Sequence, residues 1–386
     1  MAGPGNTEGR RRIRALDECA GACGDLGTLL PYLIGAITVV GLAPAGLLLG
    51  FGVFLIASGL FYGLPIAVQP MKAVGAVMLT SGLTPGEVAA AGIVLGLILL
   101  VLGLSGAIGW LARLIPQSVT AGLQLGLGLS MAVLGLELMA KTPWLGAMVL
   151  VALLLFLRMP GWPAAPLALG LAVAAGWLAG IVSAPAGMGV GLALPALSLP
   201  AWTDLPRAIE LAVLPQIPLT ITNAVIVAAA LAQALFPGRR DRASARSLAL
   251  TSGIGNLALA PIGAMPMCHG AGGLQAQYRF GARSGMAPVV LGIVLLVLGL
   301  WFASEAAALL ALIPIAAVGA LLVVSGGDLA LSRRLFDARP VCWPVIGATA
   351  ALTLAVSPAA GLACGWLLEG VRRPLGQALS GLLRRP

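Results

Sequence analysis

Sixty percent of the 386 residues are hydrophobic and 9% are charged, against about a quarter charged in an ordinary soluble domain; mean hydropathy is +1.04. A soluble enzyme or soluble binding module is excluded, and a chain that crosses the membrane many times is implied. The formal charge of +9 is carried by short basic clusters between apolar runs, which is a topology signal and not a nucleic-acid surface.

In chain order, residues 1–21 form a polar, basic N-terminal tail, too long in its polar part for a cleaved signal sequence. Apolar runs of spanning length follow at roughly 22–42, 44–62, 64–82, 87–109, 115–139, 143–158 and 164–183, making a first repeat over 22–187. A Pro-containing connector is expected over 188–207. A second repeat over 208–371 has runs at roughly 208–235, 245–262, 264–281, 286–303, 306–328, 341–356 and 358–371. A basic tail, 372–386, closes the chain. The expected fold is an all-α polytopic membrane protein of about 14 transmembrane segments in two repeats of seven.

The basic residues fit that count. With both termini cytoplasmic, Arg10, Arg11, Arg12, Arg14, Arg113, Arg158, Arg239, Arg240, Arg242, Arg246, Arg279, Arg283, Arg333, Arg334, Arg339, Arg372, Arg373, Arg384 and Arg385 fall on the cytoplasmic side. Lys141 and Arg207 fall opposite, and Lys72 lies within a segment. The chain also repeats itself: VLGLILLVLGL at 94–104 returns as VLGIVLLVLGL at 290–300, each followed by Leu-Ile-Pro, at 114–116 and 312–314. Seven crossings are an odd number, so the second copy lies upside down. Inverted repeats imply alternating access around a site near the bilayer midplane.

Two stretches interrupt the apolar pattern in corresponding places, segments 3 and 10: YGLPIAVQPMKAVGAV (62–77) and GAMPMCHGAGGLQAQYRFGARSG (263–285). Non-helical backbone at membrane depth survives only where protein or a cavity satisfies it. Each stretch is therefore read as a broken segment whose half-helix presents unpaired N–H groups and about half a positive charge to the midplane, an arrangement suited to an anion. Gln69, Pro70, Met71 and Lys72 open the first half-helix; His269, Gly270, Ala271, Gly272 and Gly273 open the second. Gln69 and His269 stand four and three residues after Pro65 and Pro266 and are matched as hydrogen-bond donors to an oxyanion; for His269, the one histidine in the sequence, a satisfied structural role is the alternative.

Lys72 needs a partner at that depth, either a bound anion or Asp25; the alternative is that it snorkels toward an interface. Asp25 and Thr28 share a face of the first segment, with Pro31 expected to kink it. Gln216, Thr220 and Asn223 share a face of the eighth. Asp25 is the candidate for proton coupling; pairing with Lys72 or capping its helix are the alternatives. Glu137 and Asp328 end corresponding helices and read as interfacial, and Gln124 lies within the first of these. Tyr278, Arg279 and Arg283 are placed at the cytoplasmic exit, where they attract anions or anchor the helix end. The five cysteines, Cys19, Cys23, Cys268, Cys342 and Cys364, have no metal-ligand spacing; no metal site and no cofactor are expected. Cys268 and His269, about 100° apart on a helix, make a poor nucleophile and base, which argues against an intramembrane enzyme.

At GDLGTLLPYL (24–33), PIAVQPMKAVGAV (65–77), LPQIPLTITNAVI (214–226) and MPMCHGAGGLQAQYRFGARSG (265–285), the chain resembles the molybdate transporter family, relatives of the sulfate permeases (SulP) and the uracil/xanthine permeases. The resemblance spans Gly24 to about Asp328. It implies molybdate as substrate, a seven-plus-seven fold with core and gate domains, and a possible homodimer. The binding roles carry over to Gln69 through Lys72 and His269 through Gly273. Unlike the sulfate permeases, no regulatory domain is expected after Pro386. Moving a dianion into a negative-inside cell is opposed by about 2.3 kcal/mol per charge per 100 mV, so import coupled to protons in the cytoplasmic (inner) membrane is the expected activity. Sulfate or tungstate transport, an anion channel and a nucleobase permease are the alternatives.

Overall fold

The computed structural model describes residues 15–159, 164–182, 191–237, 242–303, 305 and 312–382, with side chains described as far as Arg372. The arginines at 10–14, 239, 240, 384 and 385, the connector over 183–190 and the start of the span expected from 306 lie outside the described residues.

The first half begins with α1 (Ala15–Gly24) and α2 (Leu26–Thr38), which meet at a 49° bend. That bend falls at Asp25, six residues before the proline expected to cause it, and α2 runs on through Pro31. Helix α3 (Pro44–Tyr62) starts with proline at its first position and stops at Gly63, whose φ of +59° suits a residue without a Cβ. A short strand β1 (Val68–Pro70) and the half-helix α4 (Lys72–Thr80) follow. Helix α5 (Pro85–Ser105) opens on a reciprocal cap: Thr84 accepts from the Glu87 N–H, and the Glu87 carboxylate accepts from the Thr84 N–H. Then come α6 (Ile108–Leu114), α7 (Gln117–Met139), α8 (Pro143–Arg158) and α9 (Ala164–Leu178).

The second half repeats this order. Its first helix, α10, is continuous from Trp202 to Leu235, so it starts six residues before the expected start of the span at 208. Pro215 and Pro218 remove two N–H donors from α10, and π-helical turns at Ile209–Val213 and Thr220–Val227 absorb the mismatch. Next are α11 (Ala245–Leu259), strand β2 (Met267–His269), half-helix α12 (Ala271–Arg279) and α13 (Met286–Trp301). Helices α14 (Ile315–Ala330), α15 (Trp343–Ala355) and α16 (Pro358–Leu382) complete the chain, α16 extending into the range expected as a tail.

Among the described residues four helices (α3, α5, α7 and α10) are long and apolar enough to cross a membrane, and α1 with α2 makes a fifth if the bent pair is one span. Several expected spans are shorter than a full crossing: α4 and α12 have nine residues each.

The repeat is visible in the packing. Helix α3 packs on α13, and their counterparts α11 and α5 pack on each other. These form one bundle around the broken segments. Helix α7 packs on α14, α15 and α16, and α8 on α14 and α9, forming a second bundle. Close approach within it relies on glycine: a Cβ on Gly135 or Gly319 would stand 2.6 or 2.5 Å from the carbonyl oxygen of the other. The two bundles meet where α4 and α10 touch α7 and where α2 touches α14 and α9.

Candidate oxyanion site

The centre of the molecule is a two-stranded antiparallel ladder in which Val68 pairs with His269, Gln69 with Cys268, and Pro70 with Met267. Each strand leads one residue later into a half-helix, so the two broken segments meet head to head in the middle of the fold. Neighbouring helices hold the irregular backbone. Ser58 of α3 donates to the Ile66 carbonyl at 2.7 Å. Asn256 of α11 accepts from the Met267 N–H at 2.8 Å and donates to the Met267 carbonyl at 2.6 Å, doing for β2 what a third strand would do. The Met71 N–H donates to the Pro266 carbonyl at 2.9 Å.

This register revises the expected match between Gln69 and His269. Strands and half-helices of the two repeats correspond at an offset of 199 residues, which makes Gln69 the counterpart of Cys268 and Pro70 that of His269. The prolines used as markers are not equivalent: Pro65 stands three residues before β1, Pro266 one before β2.

Beside the ladder lies a small cavity of about 20 Å³, room for about one water molecule. Gln69, Pro70, Lys72, Gln216, Asn223 and Gly270 line it, with Cys268, Gln124, Leu219 and Ala224. Lys72 is half-buried. Among the described residues the ion pairs are Arg207 with Glu87 and Arg372 with Glu369, so Lys72 brings an unpaired ammonium to the cavity. The buried Asp25 carboxylate instead accepts a short hydrogen bond from the Gln69 amide through Oδ1, and its Oδ2 has no partner among the described residues. Although Asp25 stands at the N-cap of α2, its side chain makes no cap hydrogen bond.

The two half-helices begin differently. At α4 the Gln216 side-chain oxygen accepts from the N–H groups of Ala73 (2.8 Å) and Val74 (3.2 Å), while the Gln216 amide donates to Thr220 at 2.8 Å. At α12 the N-cap is Gly270, which has no side chain, and among the described residues no side chain accepts from the N–H groups of Ala271, Gly272 or Gly273. Ala271, Gly272 and Gly273 therefore keep N–H groups with no acceptor inside the helix. Gly270 and Gly273 allow the approach: a Cβ on Gly270 would overlap the Gln69 amide, and one on Gly273 would stand 2.6 Å from the Ala67 Cβ and 2.8 Å from Asp25 Oδ2.

His269 has a different environment from the one expected. Its Nδ1 lies 3.2 Å from the Ala67 carbonyl, its Nε2 2.8 Å from the Thr251 hydroxyl, and its ring packs edge-on against Phe54 and Tyr62. Both ring nitrogens are engaged by protein, and the residue is not among those lining the cavity. Thr28 is half-buried and also outside the lining. Thr220 supports Gln216, and Met71 is the buried N-cap of α4. Arg283 stacks on Tyr278, its guanidinium 3.7 Å from the ring centre, and Glu18 accepts from the Arg283 N–H. Glu137 and Asp328 are exposed, two residues before the ends of α7 and α14.

A larger cavity of about 320 Å³ separates the C-terminal end of α4 from the second bundle, with Thr80, Ser81, Ser130, Thr353, Ser357 and Glu137 in its wall. Its charged group is a carboxylate, whereas that of the small cavity is an ammonium.

The sequence matches the family model described as "Molybdate transporter of MFS superfamily" over residues 17–131 and 208–329. The chain belongs to the molybdate transporter family. It is 32% identical to "Molybdate transporter 2" of Arabidopsis thaliana, covering 93% of this chain and 88% of that protein. It is also 32% identical to "Molybdate transporter 1" of Chlamydomonas reinhardtii, covering 87% and 88%. The fold resembles the transmembrane domain of the cyanobacterial bicarbonate transporter BicA (TM-score 0.68, 19% identity, 90% of this chain and 96% of that one). It also resembles SLC26A9 (TM-score 0.69, 12% identity, 93% and 65%). This family member is a multi-pass membrane protein of the anion-transporter class, not an enzyme.

Proposed function

We propose that this protein imports molybdate by alternating access, coupled to protons, across the cytoplasmic membrane, with both termini in the cytoplasm. One observation carries the reading: the unpaired Lys72 ammonium and the uncapped first turn of α12 lie at the head-to-head junction of the broken segments. Charge and oriented N–H groups together suit a tetrahedral dianion. Gln69 and Asn223 add amides of neutral charge, and Asp25, paired through one oxygen to Gln69, is the group that takes up the coupled proton. His269 and Gln216 hold the two broken segments in place. The larger cavity between α4 and the second bundle is the route of access, and movement of one bundle against the other opens the small cavity to admit an ion wider than a water molecule. Two copies form a homodimer.

Radiolabelled molybdate uptake into proteoliposomes, with and without an inward proton gradient and with excess sulfate, tests this. Gradient-driven accumulation that survives sulfate is expected. Transport of sulfate or uracil with no response to molybdate would overturn the substrate assignment, and molybdate flux indifferent to the gradient would overturn the coupling.

A further inference from the structure

Nine of the ten residues lining the small cavity belong to the bundle of broken segments; the tenth, Gln124, comes from α7 of the second bundle. Gln124 is 6% exposed, and its Oε1 has no partner among the described residues. An unsatisfied buried amide oxygen costs roughly 1–3 kcal/mol. Gly122 and Gly126, about 200° around the helix from Gln124 on either side, carry the packing of α7 on α15, where a Cβ would meet Thr349 or Thr353 at 2.5–2.6 Å. Gly128 and Gly135, within about 40° of Gln124 around the helix, carry the packing of α7 on α14; even so, Gln124 reaches the cavity that Lys72 and Gln69 line.

We propose that Gln124 is the substrate contact supplied by the second bundle, so that a bound oxyanion is held between Lys72 and α12 on one side and the Gln124 amide on the other. This rests on the reading of the cavity as the oxyanion site. A carboxamide can present its N–H₂ to an unprotonated oxygen or, by a half-turn of its end group, its carbonyl to a protonated one. Because Gln124 moves with the second bundle, its bond to the ion forms only when the bundles are together, which links occupancy to closure and makes Gln124 a determinant of selectivity.

The test is calorimetric titration of molybdate and of sulfate into purified wild-type protein and the Gln124→Leu, Gln124→Asn and Gln124→Glu variants, with thermal unfolding of each measured without ligand. Gln124→Leu, close in volume, is expected to weaken molybdate binding about tenfold or more and to change the molybdate-to-sulfate ratio, with the unliganded unfolding temperature unchanged or raised. Gln124→Asn, which withdraws the amide by one methylene, should be intermediate, and Gln124→Glu should abolish dianion binding near neutral pH. Should Gln124→Leu fail to fold, the Gln124→Asn selectivity ratio decides. Wild-type affinity and ratio in the Leu and Asn variants, with molybdate still bound, would overturn the role of Gln124 alone. Absence of saturable molybdate binding to the wild type would overturn the oxyanion reading, and this inference with it.

Discussion

The half-helices α4 and α12 occupy corresponding places in the two repeats, both nine residues long and both led in by a paired strand, yet they solve the same electrostatic problem differently. At α4 the N-terminal donors are consumed by Gln216 and the positive charge is supplied by Lys72. At α12 the position of Lys72 is taken by Ala271, the N-cap is a glycine, and among the described residues no side chain accepts from the first-turn N–H groups. A symmetric fold has produced an asymmetric site, one end offering a full charge and the other a helix dipole. The comparison teaches that repeat symmetry fixes where a ligand sits, while the groups that bind it are divided between the copies.

The largest effect expected concerns the N-caps. Met71 carries a side chain at the cap of α4, but at its counterpart Gly270 a Cβ would overlap the Gln69 amide. Gly270→Ala forces the buried Gln69 amide off its hydrogen bond to Asp25 and should cost about 1–3 kcal/mol, read in thermal unfolding; wild-type stability would show that the Gln69 amide swings aside freely. Next is the charge. Lys72→Gln should weaken molybdate binding on the order of 100-fold while leaving unliganded stability nearly unchanged, and calorimetric titration checks both. Smaller is the cap: Gln216→Leu leaves the Ala73 and Val74 N–H groups without their acceptor and should lower stability by about 1–2 kcal/mol in thermal unfolding. The smallest is Gly272→Ala, where nothing lies within 4 Å of an added Cβ; expression and unfolding should match wild type, in contrast to its neighbour Gly273.

Much of the architecture was legible because it is written in local patterns. The recurrence of Leu-Ile-Pro placed α7 and α14, which begin one residue after each of its copies. Gly and Pro marked both broken segments. The misreadings have local causes too. Counting from Pro65 and Pro266 matched Gln69 to His269, because nothing in the sequence says that the two prolines stand at different distances from their strands. The bend assigned to Pro31 sits instead at the break between α1 and α2, at Asp25, while α2 accommodates Pro31 within its length. The start of α10 was hidden by Pro206, which reads as a breaker yet is at home in a first helical turn.

The site was legible as a set of residue types and not as a set of roles. Gln216 looked like a ligand because a polar side chain on an apolar helix invites that reading, but its partners are the N–H groups of residues more than 140 positions earlier. His269 shares Thr251 with Tyr62, whose hydroxyl lies 2.6 Å from that of Thr251, and no spacing rule connects those three positions. Asn256 and Ser58, which hold the strands, carried only the weak signal of one polar residue in an apolar run. Such roles depend on contacts across the repeats, which single-sequence periodicity does not contain.

The most direct test is to locate the ion itself, using the anomalous scattering of tungstate, a heavier tetrahedral dianion, in crystals of the protein. The expected metal position is the small cavity, about 4–5 Å from Lys72 Nζ and from the N–H groups of Ala271 to Gly273, one metal–oxygen bond plus one hydrogen bond away. A peak confined to the larger cavity beside Thr80, Ser130 and Ser357, or one at the cavity that persists undiminished in Lys72→Gln, would contradict the division of the site between a charged and an uncapped half-helix.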